Sequence, residues 1–133
     1  MEKPELTHAI AVKVQIWRDG KLLIIKRAPD DDYYAGYWDV PGGSLHKGET
    51  IDAGLRRETR EETGLEVSRI RPLTTWSHGE GDEFELGLSF LATADTDAVT
   101  LSDEHTEFAW ADPASISDYD FPPNLEKEIN WVI

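Results

Sequence analysis

Glu58, Glu61 and Glu62 stand within five residues of one another on a segment whose signals mark a helix. Thr50 is a good N-cap, Asp52 falls in the first turn and Gly64 follows the last position, so the spacing predicts a helix over 51–63. On a wheel of roughly 100° per residue with Ile51 as origin, Gly54, Leu55, Glu58, Glu61 and Glu62 fall within an arc of about 120°. Arg56, Arg57 and Arg60 lie mostly on the opposite side. The stripe is therefore apolar in its first half and acidic in its second, the three carboxylates continuing the inward face. Helix physics opposes that arrangement, because glutamates near a C-terminus face the negative end of the macrodipole and Glu58 with Glu62 is a like-charge i,i+4 pair. A hard divalent cation with oxygen ligands would neutralise them, and Mg²⁺ typically takes few protein carboxylates together with phosphate oxygens. A solvated helix laced with surface pairs such as Arg57–Glu61 would carry the same residues. The helix alone leaves both readings open.

The flanking residues extend the pattern. Gly43, Glu49, Arg57, Glu58, Glu61, Glu62, Gly64 and Leu65 stand in the order G-x5-E-x7-R-E-U-x-E-E-x-G-U, where U is a bulky aliphatic residue. This resembles the Nudix box of the Nudix hydrolases, and the lead-in from Trp38 to Gly43 is similar to the family's approach to it. One position departs: Thr59 stands where an aliphatic residue is usual, at what the wheel makes the edge of the buried stripe. The resemblance implies a site for two or three Mg²⁺, or alternatively Mn²⁺, held by Glu58, Glu61, Glu62 and the Gly42 carbonyl. Gly42 and Gly43 would supply backbone conformations closed to other residues and a close approach to the ion. Arg57 would orient a glutamate through a charge-assisted bond. Glu49 would support the loop or reach the metals, a plain helix N-terminal anion being the alternative.

A diphosphate resists nucleophilic attack because its oxygens are negative, and metal ions relieve that charge, activate a water and stabilise the leaving oxygen. The implied reaction is cleavage of a nucleoside diphosphate linkage, giving a nucleoside monophosphate and pyrophosphate from a nucleoside triphosphate. Glu58 is one candidate for the general base. Glu104 is the other, because the segment from Ser102 to Trp110 looks like the element of MutT-like members whose loop acid reaches the metals. Asp103 and Glu107 are its rivals, and His105 is expected to be a structural hydrogen-bonder.

For the substrate, Lys26 and Arg27 close a strand and could meet phosphates, whereas Tyr33, Tyr34, Tyr37, Trp76 and Phe84 could stack on a base. We single out Tyr37 and Trp76, although aromatics near strands more often belong to the core. The segment from Asp120 to Asn124 resembles the stretch before the last helix of MutT-type enzymes, in which an asparagine reads a guanine; it is shorter here by one residue. Asn124 could equally cap the final helix.

These groups need a frame. Alternation over His8 to Trp17 puts His8, Ile10, Val12, Val14 and Ile16 on one face and Ala9, Ala11, Lys13, Gln15 and Trp17 on the other, which is a strand. Arg18-Asp19-Gly20 is a tight turn and 21–27 returns as the hairpin partner. Residues 33–40 are part strand and part loop, 65–76 a strand interrupted at Pro72, 83–93 and 106–110 further strands, and 124–132 a last helix. The order implies an α/β fold, a Nudix-type α/β/α sandwich with a mixed β-sheet between helices, formed as one domain over 1–133.

Composition narrows the function. The chain of 133 residues carries a net charge of −14, which disfavours nucleic acid and anionic membrane as partners. It has no cysteine, no basic N-terminal region followed by an apolar run, and no apolar stretch long enough to span a bilayer, so a cytoplasmic protein with a small-molecule nucleotide substrate is expected. A homodimer is compatible with the resemblance. The best reading is a MutT-like nucleoside triphosphate pyrophosphohydrolase. ADP-ribose, nucleotide sugars and dinucleoside polyphosphates are other substrates to consider. A non-catalytic Nudix nucleotide-binding module is the rival from another class, and the retained box glutamates count against it. A Ca²⁺-binding reading fails because Asp30-Asp31-Asp32 lacks the spacing and closing glutamate of an EF-hand loop.

Overall fold

The computed structural model describes residues 8–133. Strand β1 (Ala9–Arg18) and strand β2 (Lys21–Arg27) are joined through Asp19 and Gly20, both at positive φ (52° and 77°), the turn that matches the twist of a two-residue hairpin. The short strands β3 (Trp38–Asp39) and β4 (Gly42–Ser44) lead to helix α1 (Ile51–Thr63). Strand β5 (Val67–His78), strand β6 (Glu85–Ala94) and strand β7 (His105–Ala111) follow, and helix α2 (Leu125–Val132) closes the fold.

The seven strands form one mixed sheet in the order β3-β2-β1-β6-β5, with β4 beside β1 and β7 beside β2. Among the described residues only β1 and β6 run parallel, and the other pairs are antiparallel. β2 is the clearest sign of the sandwich. Leu22, Leu23, Ile24 and Ile25 are all fully buried. Leu23 and Ile25 pack in the cluster that holds Leu55 of α1, whereas Leu22 and Ile24 pack in the cluster that holds Ile129 of α2. Alternate residues of one strand thus serve opposite faces, each side chain contributing about 1.5–3 kcal/mol by burial.

β1 pairs with β2 only at Trp17–Leu22 and Arg18–Lys21; nearer its start it pairs instead with β4 and β6. The sheet therefore splays around β1, and a cavity opens in the cleft.

Three elements differ from the sequence expectation. β4 was not anticipated, since Gly-Gly-Ser has little intrinsic strand preference and is held by pairing with Ala11, Val12 and Lys13. A 3-10 turn over Pro113–Asp118, also unanticipated, buries Ile116 in the second cluster. Pro72 does not interrupt β5: the register shifts beside it, and the strand continues two residues beyond Trp76 to His78. β5 lies at the end of the strand order, where a proline is tolerated.

Candidate active site

Helix α1 begins as expected, Thr50 Oγ1 accepting the Ala53 N–H at 3.1 Å, and ends on Gly64 at φ 73°, the left-handed cap. Its buried stripe is rotated from the expected one. Gly54, Leu55, Thr59, Glu62 and Thr63 are buried, whereas Ile51 is 42% exposed. Thr59 is fully buried within the stripe rather than at its edge, its hydroxyl donating to the Leu55 carbonyl at 2.7 Å. A hydroxyl can occupy this apolar place because the helix itself supplies the acceptor. The rotation also separates the three carboxylates. Glu62 is buried, the Glu58 side chain is 15% exposed, and the Glu61 side chain is 57% exposed at the rim.

Arg57 organises this end of the helix. Its Nε and Nη2 donate to the two carboxylate oxygens of Glu49 at 2.7 and 2.9 Å. Nη1 donates to Glu58 at 3.0 Å and Glu61 at 3.2 Å, and Nη2 also reaches the Ser44 carbonyl at 3.1 Å. Glu49 accepts the His46 N–H as well, at 2.9 Å, so it clamps the loop onto the arginine. These bonds hold the Glu49 carboxyl down at about 2, Arg57 being the largest cause.

Gly42 and Gly43 are needed for space and not for unusual dihedrals, since neither is at positive φ. A β-carbon on Gly43 would lie 2.5 Å from the Glu58 carboxylate. One on Gly42 would collide with the Val12 carbonyl, which strand pairing with β1 brings close.

Glu62 accepts the Gly42 N–H at 3.0 Å and faces His105 Nε2 at 3.5 Å. Burial pushes the Glu62 carboxyl up to about 8 and the His105 imidazole down to about 4. Both are therefore neutral near pH 7 in the metal-free chain, and the contact is not an ion pair. His105 is not the structural hydrogen-bonder expected: its Nδ1 is buried without a partner. Burial also raises Glu58, with Arg57 opposing and Glu61 and Glu104 adding to the rise.

Glu104 sits on the loop before β7, its carbonyl accepting the Ala28 N–H at 3.0 Å. Ligand atoms of Glu62, Glu104 and His105 lie within 4.8 Å of one another. Glu104, Glu58 and Glu62 line both a cavity of about 680 Å³ and a smaller acidic depression shared with Glu61 and Asp103. The carboxylates thus stand where the two meet. Oxygen donors of this number, two of them raised by burial and mutual repulsion, are suited to a hard divalent cation, which would relieve both penalties. Of the rivals to Glu104, Glu107 points elsewhere, toward Lys26 at 3.4 Å.

Across the cavity, Asp39 Oδ2 accepts from both Lys13 Nζ and Arg27 Nη1 at 2.8 Å. Arg27 further donates to Asp31 and to the Tyr33 carbonyl. Of the residues expected to meet substrate, Arg27, Trp76 and Asn124 line the cavity; Lys26 and Tyr37 do not. Lys26 pairs with Glu107 and lies over Trp38, and Tyr37 serves through its carbonyl, which accepts the Arg27 N–H. Trp76 lies flat against Gly87 of the neighbouring strand, stacks on His78 and donates to Ser89. Asn124 adopts a left-handed conformation (φ 75°), and its side chain makes no capping bond.

Sequence reasoning missed Lys13, Gln15, Asp39 and Glu128, all of which line the cavity. Lys13 and Gln15 did stand out as polar residues within an otherwise apolar strand, a signal left unused. Nothing in the sequence distinguished Glu128 from a surface helix residue.

Among proteins of known identity, a nucleoside triphosphatase NudI of Escherichia fergusonii is 34% identical over 126 residues, covering 86% of this chain and 89% of the relative. The NudI of Escherichia coli K12 is 33% identical over 116 residues, covering 79% and 82%. The crystal structure of a MutT protein from Methanosarcina mazei superposes with a TM-score of 0.79 at 25% identity, over 97% of this chain and 95% of that one. The profile of the NUDIX domain matches residues 7–132, so with the box carboxylates assembled as described, the chain belongs to the Nudix hydrolases.

Proposed function

We propose that this Nudix hydrolase is a nucleoside triphosphate pyrophosphohydrolase, one domain that releases a nucleoside monophosphate and pyrophosphate with Mg²⁺ as its metal. The observation that carries the reading is the junction of a nucleotide-sized cavity with the acidic depression at Glu58, Glu62 and Glu104. The nucleoside triphosphatases among its relatives support the substrate class. The absence of cysteine fits a cytoplasmic setting.

Glu58, Glu61, Glu62 and the Gly42 carbonyl would hold the metal, with Glu104 able to join them. A divalent cation bound there supplies Lewis-acid polarisation of the phosphoryl oxygens. Arg57, tied to Glu49 and the Ser44 carbonyl, keeps Glu58 and Glu61 in fixed rotamers. Lys13 and Arg27 bring positive charge to the other wall, where it would meet phosphate oxygens. Trp76 stands in the cavity wall beside the place a base would take, and Asn124 offers an amide free of capping duty. Glu58 is already committed to Arg57, whereas Glu104 is exposed and open to both cavities. We therefore assign Glu104 as general base: it takes a proton from water as the water oxygen bonds to phosphorus and the bridging P–O bond breaks, the electron pair leaving with the bridge oxygen.

The test is a panel of nucleoside triphosphates, ADP-ribose, nucleotide sugars and dinucleoside polyphosphates with Mg²⁺ and with Mn²⁺, products identified. Monophosphate and pyrophosphate from a triphosphate are expected. Cleavage confined to the other classes, or orthophosphate as the product, would overturn the reading.

A further inference from the structure

Besides His105 beside the box carboxylates, two side chains in the cavity wall carry buried polar atoms that the protein itself leaves unpaired. Gln15, on β1, is 3% exposed, and Glu128, on α2, is 8% exposed. Trp17 Nε1, which can only donate, gives its hydrogen to Gln15 Oε1 at 3.0 Å. That bond fixes the amide: its oxygen faces Trp17, and the Nε2 group remains as a donor without an acceptor. Glu128 is the complement, its Oε1 a buried acceptor without a donor. Buried polar groups are nearly always satisfied, and leaving a carboxylate oxygen unpaired weakens the fold. One donor on the sheet wall and one acceptor on the helix wall of the same cavity fit a planar ligand with the opposite pattern. Among the described residues, neither shares a hydrogen bond with the box carboxylates or with the Lys13–Asp39–Arg27 group.

Resting on the triphosphate reading above, we infer that Gln15 and Glu128 select the nucleobase, and that they select a lactam edge, as in guanine, uracil and thymine. In those bases a ring N–H adjoins an exocyclic carbonyl. The carbonyl takes the Gln15 N–H, and the ring N–H, an acidic donor, forms a charge-assisted bond with Glu128. Adenine and cytosine put a bare ring lone pair at that position, which a carboxylate repels.

The test compares wild type with the near-isosteric variants Glu128→Gln and Gln15→Met across triphosphates of all the common bases. Wild type should favour lactam bases. Glu128→Gln should lower kcat/KM for these by about 10–100-fold, the range for one hydrogen bond to a charged group, and change adenine and cytosine substrates by less than about threefold. It should also raise Tm, because an unpaired buried carboxylate is gone. Preference for adenine or cytosine in wild type, or an equal fall for every base, overturns the inference. Calorimetric binding of the nucleoside monophosphates reads base selection without turnover. Lactam-selective binding with no triphosphate hydrolysis would overturn the pyrophosphohydrolase reading alone. Triphosphate hydrolysis with base-indifferent binding would overturn the base assignment alone.

Discussion

The α-hydrogen of Gly43 points at the Glu58 carboxylate, leaving no space for a β-carbon between β4 and α1. Because Gly43 is not at positive φ, alanine there carries no backbone strain, and the nearest clash falls on the glutamate carboxylate. Gly43→Ala should leave Tm nearly unchanged while lowering kcat about 10²-fold or more, the usual cost of moving a catalytic group by roughly an ångström. Thermal melts beside steady-state kinetics check it, and full activity in the variant would sink the placement of Glu58.

Arg57 distributes its donors over Glu49, Glu58, Glu61 and the Ser44 carbonyl. Lysine keeps the charge but has no planar fork to reach them together. Arg57→Lys should therefore lose activity about 10²-fold, chiefly in kcat. Glu49→Gln, which leaves Glu58 and Glu61 bonded, should lose less. Equal losses in the two variants would show that Arg57 acts only through Glu49.

Glu62 links the site to pH. Its folded carboxyl is raised to about 8 from an ordinary 4.5. Between those values the metal-free folded state keeps a proton that the unfolded chain has released, so stability falls as pH rises through the window. If Glu62 is a metal ligand as proposed, metal binding displaces that proton. The Mg²⁺-induced rise in Tm should thus be larger at pH 8.5 than at pH 6, and calorimetry in buffers of different ionisation enthalpy should detect proton release at pH 7. A Tm shift independent of pH would remove Glu62 from the ligand set.

His105 titrates with the opposite consequence. Burial first, and then Arg27, hold its imidazole down at about 4, so the unfolded chain binds a proton before the folded one does. Its contribution is intact above pH 6.5 and is lost progressively as pH falls toward 4. A His105→Phe variant should show a flatter fall in Tm across that range; an unchanged slope would mean that other groups govern the acid limb.

Adjacent cations should behave unlike each other. Arg27 lines the cavity, and Lys26 pairs with Glu107 outside it. Arg27→Lys should raise KM about tenfold or more, as expected for a lost charge-assisted bond, whereas Lys26→Ala should leave kcat and KM within about twofold, its ion pair being a weak surface one.

The carboxylate end of the candidate site was legible in the sequence because its residues are local: Gly43, Glu49, Arg57 and the glutamates lie within one loop and one helix, where spacing fixes geometry. The longer strands followed from alternation and turn residues, whereas their order in the sheet and the short β4 did not. The cavity wall was not legible, because it is assembled from distant strands. Lys13 meets Asp39 only once β1 has splayed from β2, and Glu128 faces inward only because Ile129 anchors α2 on the sheet. The rotation of the α1 stripe escaped the wheel for a related reason. Taking Ile51 as origin assumed that an isoleucine must be buried, yet it stands at the exposed first turn, and Thr59 fills the inner place.

The splayed sheet divides labour between parts of unequal support. β1, which carries Lys13 and Gln15, is paired to β2, β4 and β6, whereas β5, which carries Trp76 and His78, is paired among the described residues to β6 alone. Fraying begins at edges and reaches central strands last. Mild heating or low denaturant should therefore loosen the aromatic wall while the carboxylate helix and its strand partner stay formed. An enzyme built this way would weaken its hold on the substrate before it lost its hydrolytic centre.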